Sequence, residues 1–144
     1  MVYEQYRKTA IDMIMAGVKA ADPTEAVTRN VRVAGDRLEI CDLTFSRAAF
    51  DRVLLFSVGK ASTAMASAFE SVLRPDGGLA ITKIGSEIDT VGLTSIHIVR
   101  GYHPEPRPIN VEASQRVLDT IEATQPDEHV LVVFLVSGGG SALF

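Results

Sequence analysis

The apolar run HVLVVFLV at residues 129–136 limits most strongly how this chain can fold. Successive side chains of a β-strand point to opposite faces of a sheet, so a strand that is apolar throughout must be covered on both faces. Residues 53–58, which read VLLFSV, have nearly the same character. Strands of this kind occur in parallel sheets that carry helices on both sides. The two runs therefore predict an α/β protein.

Segments with helical periodicity alternate with strand-like segments, and this alternation also favours a parallel sheet. We expect strands over residues 53–58, 77–82, 95–99 and 129–136, and helices over 3–20, 23–29, 61–73 and 109–124. Residues 31–40 alternate apolar and polar side chains around Gly35-Asp36, which predicts a hairpin. The predicted fold is a doubly wound, Rossmann-like α/β domain whose mainly parallel sheet is flanked by helices. An N-terminal helical arm and the small hairpin precede it.

The length of 144 residues suits one domain with one core. The pattern after Ser137 nevertheless requires a further helix to cover the sheet, and only four residues follow Gly140. This indicates that residues 1–144 are a truncated unit, the first part of a larger α/β domain. A complete small domain with a frayed end is the alternative.

Composition narrows the class of partner. The formal net charge of -4 argues against a basic surface for nucleic acid, and no apolar run approaches the ~20 residues of a membrane span. Charged residues are scattered through the N-terminal segment, unlike a secretory signal. Cys41 is the single cysteine, which fits a reducing compartment. We expect a cytoplasmic protein that binds a small molecule and neither nucleic acid nor membrane. Homo-oligomerisation is a possibility that the sequence leaves open.

Two strand-to-helix turns are candidate ligand sites, because open parallel sheets bind ligands at the carboxyl ends of their strands. They read SVGKAS (57–62) and VSGGGSA (136–142). Consecutive glycines let backbone N–H groups converge on an anion, and Ser137 and Ser141 add hydroxyl donors. This predicts a site for a phosphate or a carboxylate. The alternative is a tight turn that needs small residues only for packing.

Two side chains are candidates for chemistry beside these turns. Lys60 lies next to a predicted helix start, where the helix end is already positive, so either an anion lies nearby or the lysine turns to solvent. His103 lies in GYHPEPRPI (101–109), a loop that its prolines hold extended, and it could be either a site residue or a structural one. We assign no role to His97 or His129. No spacing of histidine, cysteine and acidic residues is typical of a zinc site.

The sequence does not match three common ligand-binding or catalytic motifs. A Walker A loop needs glycine and Ser or Thr where this chain has Leu54 and Ala61. A dinucleotide-binding fingerprint that starts at Gly138 needs Gly or Ala at position 143, which is Leu143. The same leucine excludes a nucleophile elbow around Ser141. Typical P-loop kinases, NAD dehydrogenases and α/β-hydrolases are therefore disfavoured.

Three segments, in this order and spacing, resemble the two-domain glycerate 2-kinases of the MOFRL type. They are VGKASTAMASAFE (58–70), GYHPEPRP (101–108) and LVSGGGSAL (135–143). The resemblance covers nearly the whole chain and implies that residues 1–144 are the N-terminal part of the N-terminal α/β domain of such an enzyme, without its C-terminal domain. One departure is Arg107, which stands where the family usually has an acidic residue soon after the second proline.

The resemblance implies transfer of the γ-phosphoryl group of ATP to the 2-hydroxyl of D-glycerate, giving 2-phosphoglycerate, with a divalent cation that is usually Mg²⁺. It implies a catalytic role for Lys60, a place near the cleft for His103, and inactivity of this chain alone. The implied phosphate or glycerate cradle comprises Ser137, Gly138, Gly139, Gly140 and Ser141. The alternatives are a hydroxypyruvate reductase-type oxidoreductase and a non-catalytic anion- or nucleotide-binding module.

Overall fold

The computed structural model describes residues 2–86 and 93–144. The helices are α1 (Val2–Ala20), α2 (Pro23–Asn30), α3 (Ser62–Val72), α4 (Pro108–Glu122) and α5 (Gly140–Leu143). The strands are β1 (Val31–Ala34), β2 (Arg37–Ile40), β3 (Leu43–Ser46), β4 (Arg52–Val58), β5 (Gly77–Lys83), β6 (His97–Gly101) and β7 (Val130–Val136). A short 3-10 turn, Arg47–Ala49, precedes β4.

The larger sheet is parallel and has the order β6-β5-β4-β7. The chain runs outward from β4 through β5 to β6 and then returns to place β7 on the other side of β4. This reversal creates a topological switch point between β4 and β7, where an open α/β sheet leaves a crevice for ligands. The predicted doubly wound α/β fold is confirmed.

Helices cover both faces of this sheet. On one face Val53 and Leu55 pack with Phe69 of α3 and with apolar residues of α2 and β1. On the other face Leu54 and Phe56 pack with residues of α4 and α5. β4 is therefore buried on both faces, as its sequence predicts. β7 is the edge strand instead, and two of its side chains stay exposed despite its apolar sequence.

A second, antiparallel sheet has the order β1-β2-β3. The predicted hairpin is confirmed as β1 and β2, whereas the third strand was not predicted. Asp36, in the β1–β2 turn, accepts hydrogen bonds from Ser46 Oγ (2.6 Å) and Ala48 N (2.7 Å). These bonds lower the pKa of the Asp36 carboxyl and hold β3 to the hairpin. β3 is hard to predict because a long-range carboxylate contact, rather than its own pattern, secures its end.

The predicted N-terminal helix is confirmed as α1, but every side chain from residue 3 to 20 is exposed. Its apolar residues include Tyr6 and Met13, which are 70% and 71% exposed. The apolar stripe thus has no cover within the described part of the chain. In that part, no helix combines the length and the apolar character needed to cross a membrane.

The third strand of the parallel sheet begins at His97, two residues later than the predicted start at residue 95. The reason is Glu70 of α3. Its Oε1 accepts hydrogen bonds from Thr94 N (2.9 Å), Thr94 Oγ1 (2.5 Å) and Ser95 N (2.9 Å). Because the N–H groups of Thr94 and Ser95 donate to this carboxylate, they do not donate to a neighbouring strand. The helix therefore anchors the chain just before β6.

We expect this anchor to weaken at acid pH. Burial alone would raise the pKa of Glu70, but the hydrogen bonds from Thr94 and Ser95 outweigh it and lower the pKa below its ordinary 4.5. A lowered folded-state pKa gives stability that is present above the unfolded pKa and is lost as pH falls through the folded pKa. Glu70→Gln should therefore unfold more easily than wild type at about pH 7, and the difference should shrink as the pH falls below 4.5.

Thermal unfolding over a pH series from neutral to acid measures this difference. Glu112→Gln, at an exposed position of α4, is the control and should follow wild type throughout. A Glu70→Gln deficit that stays constant down to acid pH would contradict the expectation.

Candidate functional site

The loops that follow β4 and β7 meet at the switch point and are joined by hydrogen bonds. Lys60 N donates to Gly138 O (3.0 Å), and Ser137 N donates to Val58 O (2.9 Å). Ala61 N donates to Ser137 Oγ (3.1 Å). The two turns that the sequence singled out separately are therefore one structural unit.

Gly59 permits this close approach. Its φ is +122°, and a β-carbon there would overlap Ser137 Oγ and lie 2.6 Å from the Ser137 carbonyl oxygen. An L-residue could not adopt this conformation without strain. A glycine at position 59 is thus needed for the loop after β4 to contact the loop after β7.

Ser137 holds the two loops together. Helix α3 has Ala61 at its N-cap and no side-chain cap of its own. The Ser137 hydroxyl accepts from Ala61 N, which satisfies one of the free donors at the end of the helix. It also lies 3.4 Å from Val58 O. The structure therefore gives Ser137 a capping contact, while its predicted contact with a ligand stays a prediction.

Three predicted site residues from separate segments, Lys60, His103 and Gly139, lie close together. Gly139 has φ +90°, and a β-carbon there would lie 3.0 Å from both Nε2 and Cδ2 of His103. The same β-carbon would lie 3.3 Å from Lys60 Cε. The imidazole and the lysine side chain thus both lie close to Gly139, in the glycine-rich loop of residues 137–141. The His103–Pro104 peptide bond is cis.

The remaining residues of the glycine-rich loop divide by role. Gly140 is buried, and its N–H donates to Ser137 O (3.2 Å), so it closes the turn. Across residues 2–86 and 93–144, the N–H groups of Gly138 and Gly139 have no hydrogen-bond partner. Ser141 is exposed, and its hydroxyl likewise has no partner among those residues. These are the groups of the loop that stay available to a ligand.

The arrangement can hold an anion. A lysine and an imidazole lie beside the half-buried Gly139 at the switch point, and the N–H groups of Gly138 and Gly139 are unpaired in the described residues. Such groups bind phosphates and carboxylates. In the described residues no group of three or more histidine, cysteine or acidic side chains is placed to hold a metal ion.

Asn110 was not singled out from the sequence, although its side chain bonds to the loop that carries His103 and to Ala142 of α5. It is the third residue of α4 and is 3% exposed. The only local signal is an amide side chain in the first helical turn after Arg107-Pro108, where it could serve as a cap. Nothing in that pattern shows that the residue is buried.

Fold and site together define a doubly wound α/β domain with a candidate ligand site at its switch point. The chain belongs to the family described as Domain of unknown function (DUF4147), whose model matches residues 9–144. It is 31% identical to the glycerate 2-kinase of Pyrococcus horikoshii over 144 residues, which is all of this chain and 31% of that protein. It is 32% identical to the D-glycerate 2-kinase of Thermotoga maritima over 143 residues, 98% of this chain and 30% of that protein.

A further relative carries a different name. A putative hydroxypyruvate reductase of Agrobacterium vitis is 32% identical over 133 residues, 89% of this chain and 25% of that protein. The chain thus spans less than a third of the length of each of these relatives.

Two crystal structures resemble this chain. A protein of Pyrococcus horikoshii OT3 superposes with a TM-score of 0.81 at 30% identity, over 96% of this chain and 30% of that one. The glycerate kinase of Thermotoga maritima superposes with a TM-score of 0.71 at 29% identity, over 98% and 30%. These likenesses confirm the fold and the resemblance to glycerate 2-kinases.

Proposed function

We propose that this chain is the N-terminal part of a glycerate 2-kinase, which uses ATP to convert D-glycerate to 2-phosphoglycerate when its remaining part is present. The observation that carries the proposal is the convergence of Lys60 and His103 on Gly139 at the switch point. The names of two relatives that align with the whole or nearly the whole chain support it.

In the proposed reaction the 2-hydroxyl oxygen of glycerate bonds to the γ-phosphorus of ATP. The bond from that phosphorus to the bridging oxygen breaks, ADP leaves, and the hydroxyl proton is released. Phosphoryl transfer depends mainly on positioning and on neutralising charge. Lys60 supplies a positive charge, and the unpaired N–H groups of Gly138 and Gly139 supply donors for phosphate or for the glycerate carboxylate.

The resemblance also implies Mg²⁺, but residues 2–86 and 93–144 contain no cluster of ligands that fits a protein-built metal site. Magnesium in such reactions is held largely by substrate phosphates and water. The role proposed for this chain is therefore to bind and neutralise the anion.

Phosphorus NMR tests the proposal directly. The full-length product of the gene, incubated with ATP, Mg²⁺ and D-glycerate, should give 2-phosphoglycerate and ADP in equal amounts. L-Glycerate is the control and should give little product. A 3-phosphoglycerate signal would contradict the assigned regiochemistry, and ATP left intact would overturn the kinase function.

The relative from Agrobacterium vitis makes a hydroxypyruvate reductase the second candidate. The same full-length protein, given hydroxypyruvate and NADH, should show no loss of NADH absorbance, because the fingerprint fails at Leu143. Loss of NADH without phosphoryl transfer would favour the reductase. Stabilisation against heat by Mg-ATP with no turnover of either kind would favour a binding module.

A further inference from the structure

We infer that Asn110 is a positioning residue, one that sets the place of His103 relative to the glycine-rich loop. The inference rests on the proposed function for its kinetic part. The Asn110 side chain is buried, and its amide nitrogen donates to Tyr102 O (2.9 Å) and Ala142 O (2.8 Å). Its oxygen accepts from Tyr102 N (3.0 Å) and Arg107 N (3.2 Å). All four hydrogen-bonding positions of the amide are therefore used.

Every partner of this amide is a backbone group, and the partners belong to two segments that meet at the site. Tyr102 and Arg107 lie at the two ends of the loop that carries His103, and Tyr102 is bonded through both its N–H and its carbonyl. Ala142 lies in α5, three residues after Gly139. One side chain therefore fixes the loop of His103 and the chain just after Gly139 against each other.

Gly101, the residue before Tyr102, makes room for the Asn110 side chain. A β-carbon at Gly101 would lie 2.9 Å from Asn110 Nδ2 and 3.1 Å from Leu143 Cδ2. Both atoms belong to the packing between α4 and α5, so a larger residue at position 101 would push the amide away from its partners. The chain thus approaches Asn110 closely on the side of β6 as well.

Helix capping alone does not account for these contacts. A cap at the third helical position needs only an acceptor for the N–H of Arg107, and aspartate would supply it as well as asparagine. The two N–H donors of Asn110 instead point to carbonyls of Tyr102 and Ala142. Asn110→Asp keeps both accepted bonds and replaces the donor group by an oxygen that faces two carbonyls. This substitution separates the positioning role from the capping role.

The test compares Asn110→Asp and Asn110→Ala with wild type in the full-length protein. Heteronuclear NMR of the histidine rings, assigned with His103→Gln, should show that the His103 resonances move while those of His97 and His129 stay.

With D-glycerate and ATP, the kcat of Asn110→Asp should fall by about tenfold to a hundredfold while KM changes less, as for misplaced reacting groups. Asn110→Ala should shift His103 in the same way. Gln115→Glu makes the same amide-to-acid change elsewhere on α4, where the amide donates to Asp119 (2.8 Å) and to no other described residue. It should leave both readouts unchanged.

Three results would overturn the inference. The first is a folded Asn110→Asp variant with unmoved His103 resonances. The second is a kcat of Asn110→Asp that is no lower than the kcat of Gln115→Glu. The third is unfolding of both Asn110 variants, since the residue would then serve stability alone. If wild type makes no 2-phosphoglycerate, the proposed function fails while the NMR comparison still decides the positioning of His103.

Discussion

Replacing Lys60 by alanine is expected to lower the rate of phosphoryl transfer to D-glycerate by about 10²–10³-fold in the full-length protein. Loss of a single group that neutralises developing charge has an effect of this size. Lys60 is exposed, and no ion pair joins it to a carboxylate in the described part of the chain. The variant should therefore fold normally and keep the melting temperature of wild type. Initial rates of ADP formation and a thermal melt measure the two properties.

Two further variants sharpen this test. Lys60→Arg keeps the positive charge but changes the donor geometry, so it should retain more activity than Lys60→Ala. Lys8→Ala removes another exposed lysine, in α1, and should leave the rate unchanged. If Lys60→Ala kept more than about a tenth of the wild-type rate, the role given to this lysine would be wrong.

Replacing Gly78 by alanine is expected to destabilise the fold by about 3–5 kcal/mol. Gly78 has φ +146°, and a β-carbon there would overlap the carbonyl oxygen of Leu55 and lie 2.7 Å from the Leu55 carbonyl carbon. Gly78 and Leu55 are paired across β5 and β4 in the centre of the parallel sheet. Because the obstacle is backbone, no rotamer change can relieve it. Urea denaturation followed by circular dichroism measures the loss.

The preceding residue is a matched control. A β-carbon at Gly77 would lie 3.8 Å from Leu54 Cδ2, which is an ordinary van der Waals contact. Gly77→Ala also reduces the freedom of the unfolded chain, so its stability should stay within about 1 kcal/mol of wild type. Equal losses at Gly77 and Gly78 would show that the strand responds to any added methyl group and not to this close approach.

Local sequence patterns predicted most of the parallel domain. Strand β4 and helix α4 lie within two residues of their predicted bounds, because continuous apolar runs and helical rows are strong periodic signals. The patterns failed where a distant side chain intervenes. Glu70 delays the start of β6, and Asp36 holds the unpredicted strand β3 in place. Neither contact can be read from the segment it alters.

Prediction of the site was also uneven. The sequence indicated Lys60, His103 and the glycine-rich loop, because glycine runs and charged turns at strand ends are local features. Its prediction of Ser137 as a ligand contact stays a prediction, and the capping contact of the serine hydroxyl with the N-terminus of α3 was not foreseen. It gave no weight to Asn110, since an amide in a first helical turn is ordinary until burial is known.

By itself the sequence determined the class of the domain, the approximate positions of most of its strands and helices, and two candidate ligand loops. These properties follow from apolar periodicity and from glycine, both of which act over a few neighbouring residues. Only the tertiary structure decided that β4 and β7 are neighbours. That pairing brings Gly59 against Ser137 and Lys60 close to Gly139, where His103 also lies. The physical reason is that strand order depends on packing between segments far apart in the chain, which no local pattern encodes.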